Sequence, residues 1–405
     1  MQKKLIALAV ASLASGAAFA QTNVTMYGVA DVGYVYSSGD AYRGPNGNLR
    51  SGSNEFSGLV SGILSGSRLG FRGEEALGNG LKAVFTLEYA LNIDNNTGVG
   101  SGTNGLFARQ QYVGLSSATL GQVALGRQYS PGYQATANND PLGGALVESQ
   151  SYLSAQARMT ITPNNAARWN NAVTYTSPNW SGFSAKGIYS FGETAASNGS
   201  YNDKLTDIVA NQMWGLGFNY ANGPLNVDLV YQSRMNVVNA DKSLVTGNYP
   251  RGTDDDINEG YIGASYDFKV VKIMGSYQQQ NDKNATNLDS NLWSLGAVIP
   301  VLSASNIHLA YAQLNMDQNN CPAILGTGNG NACGLTGTTN SATLAWTTAL
   351  SKRTTLYAGY VWNDNDKKTM TPTTGGLGSS VGPVVGIGAL NQDNNTLLAG
   401  IRHTF

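Results

Sequence analysis

The chain has 405 residues, with 24 basic residues, 25 acidic residues and two histidines, for a formal net charge of −1. That balance excludes the basic surface a nucleic-acid partner requires, and two histidines leave little from which to build a nucleophile–base pair. Charged residues are only 12% of the whole, low for a water-soluble protein. Yet beyond the first twenty residues no apolar run approaches the ~18 residues of a membrane helix.

Residues 1–20 read as a secretory signal. Lys3 and Lys4 precede an apolar stretch from Leu5 to Leu13, and small residues lead to Ala18-Phe19-Ala20, so cleavage is expected before Gln21. The apolar stretch is too short to be a transmembrane helix. Residues 21–405 read as one all-β unit, rich in Gly (50) and Tyr (21) and without a helical stripe of useful length.

The first strand is expected over 24–36, with Met26, Ala30, Val32 and Tyr34 on one face and Thr25, Tyr27 and Asp31 on the other. Residues 37–66, mostly polar with many Gly and Ser, read as a long loop. A hairpin follows. Arg68, Gly70 and Arg72 alternate with Leu69 and Phe71, the chain turns at Leu77-Gly78-Asn79-Gly80, and Leu81, Ala83, Phe85, Leu87 and Tyr89 alternate with Lys82, Thr86 and Glu88 on the return.

Further hairpins are predicted at 108–117/122–129, 168–177/183–192, 212–221/225–234, 259–268/270–279, 291–300/306–315 and 341–350/354–363. The last strand, 395–405, has Leu397, Ala399, Ile401 and Phe405 on its apolar side, with Leu398 and His403 breaking the pattern. A terminal strand is an open edge unless it pairs, and pairing with the first strand would close the sheet. The count is about sixteen strands. Turns within hairpins are short, whereas connections such as 192–211, 235–256, 316–340 and 364–394 are long, the asymmetry of a membrane barrel with one turn side and one loop side. Apolar side chains on one face and small or polar ones on the other suit lipid outside and water within.

Cys321 and Cys333 sit in one Gly/Asn/Thr-rich stretch, and in an oxidising compartment they are expected to form a disulfide across a loop. No metal site and no cofactor are expected, since too few ligands lie near them.

Several stretches resemble Gram-negative general porins, nearest the β-proteobacterial branch. The main one runs from Ser67-Arg68-Leu69-Gly70-Phe71-Arg72-Gly73 through Glu74-Glu75-Ala76-Leu77-Gly78-Asn79-Gly80. With it go Thr25-Met26-Tyr27-Gly28 with Asp31, Tyr112-Val113-Gly114-Leu115, Leu125-Gly126-Arg127, Arg168 with Asn171, Val173 and Tyr175, and the terminal Arg402-His403-Thr404-Phe405. The resemblance implies a 16-stranded antiparallel transmembrane β-barrel in the outer membrane, assembled as a homotrimer in lipid. It also implies that a third long loop, 130–167, folds inward and narrows a passage for ions and small hydrophilic solutes. The charges on that loop are sparse: Asp140, Glu148 and Arg158. The acidic cluster of enteric porins is not evident there.

By strand phase the lumen-side cations are Arg68, Arg72, Lys82, Arg168, Lys186 and Arg402, with Asp31 and Glu88 as lumen-side acids. Arg109 and Arg127 resemble family positions in the basic wall patch facing the inward loop. Arg127 shares the phase of Val123 and Leu125, so a lumen position needs a bulge at Gly126 or an end to the strand; an arginine in mid-bilayer costs roughly 2–4 kcal/mol. Cations on the early strands, with acids in loops such as Asp254-Asp255-Asp256, predict a weak anion preference. An enzyme is not expected, because His308 and His403 have no partner at motif spacing. A substrate-specific channel and a barrel-anchored adhesin are the alternatives: saturable uptake of one solute would mark the first, a barrel without steady conductance the second.

Overall fold

The computed structural model describes residues 23–39, 56–95, 108–192, 211–237, 255–283, 288–318, 337–365 and 394–405. The signal segment 1–20 and both cysteines lie outside the described residues, as does most of each long connection.

The first strands are β1 (Asn23–Gly39), β2 (Phe56–Ser61), β3 (Arg68–Gly78), β4 (Leu81–Ala90), β5 (Ala108–Ser117) and β6 (Gly121–Tyr129). Two short helices follow, α1 (Pro131–Asn138) and α2 (Ser149–Gln156). Then come β7 (Arg168–Thr176), β8 (Phe183–Ser190), β9 (Gln212–Asn222), β10 (Leu225–Met235), β11 (Ile257–Asp267) and β12 (Lys272–Asp282). The chain ends with β13 (Leu288–Leu302), β14 (Ser305–Gln318), β15 (Gly337–Ala349), β16 (Thr354–Asn365) and β17 (Asn394–Thr404).

Apart from β2 and β3, consecutive strands pair antiparallel, and β1 pairs with β17 from Val29↔Thr404 to Gly39↔Asn394, so the sheet closes. Gly28 and Phe405 exchange backbone hydrogen bonds of 3.0 and 3.1 Å at the seam. The terminal edge is thereby removed, as the pattern of 395–405 requires.

One expectation fails. Residues 37–66 are not a single loop: β1 continues to Gly39, and β2 pairs with β1 over Ser37↔Phe56 to Val32↔Ser61. The lower half of β1 pairs with β3, from Val29↔Arg68 to Asn23↔Glu74. Thus β2 and β3 occupy one stave of the barrel in succession, and seventeen segments make a closed sixteen-stranded barrel. Between them residues 62–67 leave the sheet toward the inside, with Ile63 fully buried against Gly33 on the inner face of β1.

Alternation sets the two faces. Leu229 and Tyr231 are exposed on the outside of β10, while Val230 and Gln232 beside them are buried. The same holds for Leu344 beside Thr343 and for Leu397 beside Thr396. Buried residues on the inner face are covered not by a second sheet but by residues 130–167. Helix α1 lies on β9, β10 and β11, and α2 on β13, β14 and β15. Beneath α2, Leu153, Ala157 and Met159 pack on Leu292, Leu314, Met316 and Val361 of the wall. Leu398, out of place in the strand pattern, belongs to this inner core and is 6% exposed. His403 stays at the rim, where its Nδ1 lies 3.0 Å from Thr354 Oγ1.

Candidate functional site

The inward segments are held to the wall by carboxylates. A peptide segment crossing a lumen carries N–H groups with no strand partner, and buried N–H groups need acceptors. Asp31 supplies one set. Its Oδ2 accepts from Leu64 N (3.0 Å) and Ser65 N (2.6 Å), and its Oδ1 accepts from Tyr357 Oη (2.6 Å). Asp228 on β10 accepts from the side-chain amides of Asn139 (2.8 Å), Asn219 (2.9 Å) and Asn226 (2.7 Å), which ties down the end of α1. Glu259 on β11 accepts from Thr160 N (2.8 Å), Thr160 Oγ1 (2.9 Å) and Ile161 N (2.9 Å), and pairs with Arg234 at 3.4 Å.

Two further acids stabilise the loop itself. Glu148 caps α2 by accepting from Ser151 N at 3.0 Å. Asp140 takes Leu142 N at 2.6 Å. The two carboxyls face each other in the loop interior. Burial, then the charge of Glu148 and a hydrogen bond to it, hold the Asp140 carboxyl well above the ordinary carboxylate range. Burial likewise raises Glu148, against the pull of Asp140 and of the helix N–H groups. At the other side of the loop, His308 on β14 holds the Pro141 carbonyl with Nδ1 (2.8 Å) and Thr347 Oγ1 with Nε2 (2.9 Å).

The wall facing the loop carries arginines. Arg109 donates from Nε to Glu88 Oε1 at 2.7 Å and from Nη2 to Tyr129 Oη at 2.9 Å. It reaches the inside because a bulge between Glu88 and Tyr89 breaks the register of β4 and β5 at that point. Arg68 donates to Ser65 Oγ at 2.6 Å and lies 4.0 Å from Glu88. Tyr27 Oη also donates to Glu88, at 3.0 Å. Arg168 lies over the rings of Tyr129 and Tyr133, which stack 3.7 Å apart, and donates to Asn165 Oδ1 at 3.1 Å. One carboxylate among three guanidinium groups leaves the cluster cationic.

Between this wall and the loop is a cavity of about 400 Å3 whose lining includes Arg68, Arg109, Arg158, Arg168 and Arg234. Among the described residues that line it there is no Asp or Glu.

The expected site residues thus separate into groups. Arg68, Arg109, Arg168 and Glu88 come together at the passage. Asp31 is on the inner face but fully buried under residues 62–67, opposite Arg402 in the β1–β17 register. Asp140 and Glu148 are buried inside the loop rather than presented to water. Arg72 lies over the Tyr27 ring, and Lys82 pairs with Glu74 at 2.8 Å in the open, both toward the Leu77–Leu81 turn. Lys186 donates to the Tyr129 carbonyl at 2.6 Å.

The sheet register is irregular between Gly126 and Gln128, as an inward Arg127 requires. The Arg127 guanidinium spans the strand ends, donating to the carbonyls of Ala108 (2.9 Å) and Arg168 (3.0 Å) and to the side chains of Asn165 and Asn170.

Arg234 and Glu259, absent from the expected site, do have a signal in the strand phase. Leu229 and Tyr231 face out, so Gln232 and Arg234 face in, and Gln232 pairs with Glu259. Tyr129 and Tyr133 carried no signal, since one ends a strand and the other opens a helix.

Comparison with known proteins gives concordant matches. The sequence profile of the family described as Gram-negative porin matches residues 7–368. The chain is similar to "Outer membrane porin protein 32" of Delftia acidovorans, 32% identical over 100% of both chains. It is also similar to an outer membrane porin protein of Bordetella pertussis, 31% identical over 88% of this chain and 93% of the other. Among solved structures, "Anion-selective porin from Comamonas acidovorans" superposes with a TM-score of 0.68 at 25% identity, covering 95% of this chain and 100% of that one.

Proposed function

Since the chain belongs to the Gram-negative porin family and is an outer-membrane channel, we propose that it passes small hydrophilic solutes passively with a weak preference for anions. The observation that carries this reading is the cavity between wall and loop, whose lining includes five arginines and, among the described residues, no carboxylate. Charged groups lining a narrow passage select ions through fields that water screens only in part. The similarity to a porin titled anion-selective supports the same sign.

The working form in this reading starts at Gln21, carries the Cys321–Cys333 disulfide, and assembles as a homotrimer in outer-membrane lipid. Residues 130–167 narrow the pore, and Arg68, Arg109 and Arg168 with Glu88 set the field on the wall. Lys82 and Arg72 act nearer the mouth. Asp31 and Arg402 hold the seam, and Arg127 ties the ends of β5 and β7.

The test is the reversal potential of the purified protein in planar bilayers across a potassium chloride gradient. The expected sign is that of chloride exceeding potassium; a clear preference for potassium overturns the proposal. Chemical cross-linking in mild detergent tests the assembly, with a ladder ending at three subunits expected.

A further inference from the structure

We infer that Arg158 is a selectivity-determining cation on the loop side of the passage, and that Glu259 is the residue that positions it. The inference rests on the anion reading above and adds to it a residue and a means of holding it.

Arg158 directly follows α2 and its C-terminal Ala157, in the place where a helix reverses into the left-handed region. Its φ is +58°. Glycine, and less often asparagine, is the residue such a turn normally takes, because a Cβ there crowds the following carbonyl. A side chain kept at such a position points to a use for it. Here the residue, on the loop, lines the same cavity as Arg68, Arg109 and Arg168 of the wall.

The turn is fixed from both directions. Arg158 N donates to the Ala155 carbonyl at 3.1 Å, and Gln280 Nε2 donates to the Ala157 carbonyl at 3.3 Å. Arg234 Nη2 donates to the carbonyl of Arg158 itself at 3.4 Å and to Gln280 Oε1 at 3.1 Å. Immediately downstream, Glu259 accepts from Thr160 N, Thr160 Oγ1 and Ile161 N, and pairs with Arg234. Glu259 is 1% exposed and Ile161 is fully buried, so the Ile161 N–H has no water to turn to. The Glu259 carboxylate therefore controls the residues on the far side of the turn and the arginine that grips the turn. Loop and wall thus each bring a cation to the cavity, and among the described residues that line it there is no acid.

The magnitude follows from Coulomb's law in water. An ion passing at about 7 Å from one unit charge, with salt screening near a tenth molar, has its passage shifted by a little under twofold. The shift has opposite signs for chloride and potassium, so removing the charge lowers the permeability ratio about threefold.

The experiment compares reversal potentials of the full-length barrel for wild type, Arg158→Asn, Arg158→Glu, Glu259→Gln and the double variant Arg158→Asn/Glu259→Gln. Asparagine tolerates the left-handed turn, so the loop keeps its path; circular dichroism and heat-dependent gel migration check the barrel. Arg158→Asn is expected to lower the chloride-to-potassium ratio about threefold, and Arg158→Glu to lower it further. Glu259→Gln also removes a negative charge beside Arg234, which by itself raises the ratio alike in both backgrounds. If Glu259 positions Arg158, the rise is expected to be smaller with Arg158 present than with asparagine in its place. An unchanged ratio in Arg158→Asn overturns the role of Arg158, and additive effects in the double variant overturn the positioning role of Glu259. If wild type prefers potassium, the anion reading falls, and Arg158 is still judged by whether its removal shifts the ratio toward potassium.

Discussion

Replacing Asp31 by alanine tests whether the break between β2 and β3 is held by one carboxylate. The change removes the acceptor of Leu64 N, Ser65 N and Tyr357 Oη together. A buried donor left without a partner costs about 1–3 kcal/mol. Ser65 is partly exposed and can turn to water, so two donors count in full, for a total of about 2–6 kcal/mol. Asparagine keeps one oxygen for the backbone donors and loses mainly the charge assistance, which limits its cost to about 1–2 kcal/mol. Gly62 and residues 64–67 line the cavity, and Ser65 Oγ holds Arg68. Release of the segment should therefore disturb the current as well as the fold. Asp31→Ala is expected to lower the unfolding midpoint in detergent and to give noisy single-channel steps, with Asp31→Asn close to wild type on both counts. Equal midpoints and equally quiet currents for wild type and Asp31→Ala would refute the reasoning.

The Asp140–Glu148 pair makes the loop sensitive to pH. Because the Asp140 carboxyl is raised, its contribution is complete below the ordinary carboxylate range, about 4, and is lost as pH rises through the elevated value. Current noise in wild type is expected to grow with pH across that window and to be flattened in Asp140→Asn, whose amide still donates to Glu148; a parallel trend in the variant would argue against the pair. Gly66→Ala brings a methyl within 2.8 Å of Arg109 Nη1, a guanidinium that Glu88 and Tyr129 already hold. The guanidinium must shift against its buried partners, so unit conductance should change and the unfolding midpoint should fall slightly. A conductance equal to wild type would mean that Arg109 does not bound the passage.

Strand alternation carried most of the barrel, because lipid on one side and water or loop on the other impose the same period of two on nearly every segment. The features it could not carry are those where that period breaks. Arg109 shares its phase with Val113 and Leu115, both exposed to lipid, and only the bulge beside Glu88 turns it inward. β2 is six residues long within a Gly/Ser-rich stretch, too short for its alternation to stand out. Leu398 looked like an error on a wet face because the expectation was a lumen lined only by water. It is a core residue because the inward segments cover that part of the wall. Asp31, Asp140 and Glu148 carried the right residue type for a pore but the wrong surroundings. Phase tells which face a side chain is on, and it is silent about what lies on top.

The fate of these acids explains how a chain of net charge −1 can present a cationic passage. Folding 62–67 and 130–167 into the barrel brings backbone N–H groups where no strand can pair them, and each must find an acceptor. A carboxylate, which accepts several hydrogen bonds and strengthens each by its charge, is the efficient partner. Asp31 and Glu259 each take backbone N–H groups of an inward segment, and Glu148 takes those at the start of α2. An acid used in this way is under the segment it holds and contributes little field to the water. Guanidinium groups have no role as acceptors, so Arg68 and Arg168 stay at the edge of the same contacts, with Arg109 buried beside them against Glu88. The sign of the passage is therefore tied to the way the loop is fastened. Variants that unfasten an acid should expose negative charge and weaken the loop in one step, whereas removing Arg68 should act mainly on selectivity and removing Arg109 should also cost stability, because it leaves the buried Glu88 carboxylate without its closest partner.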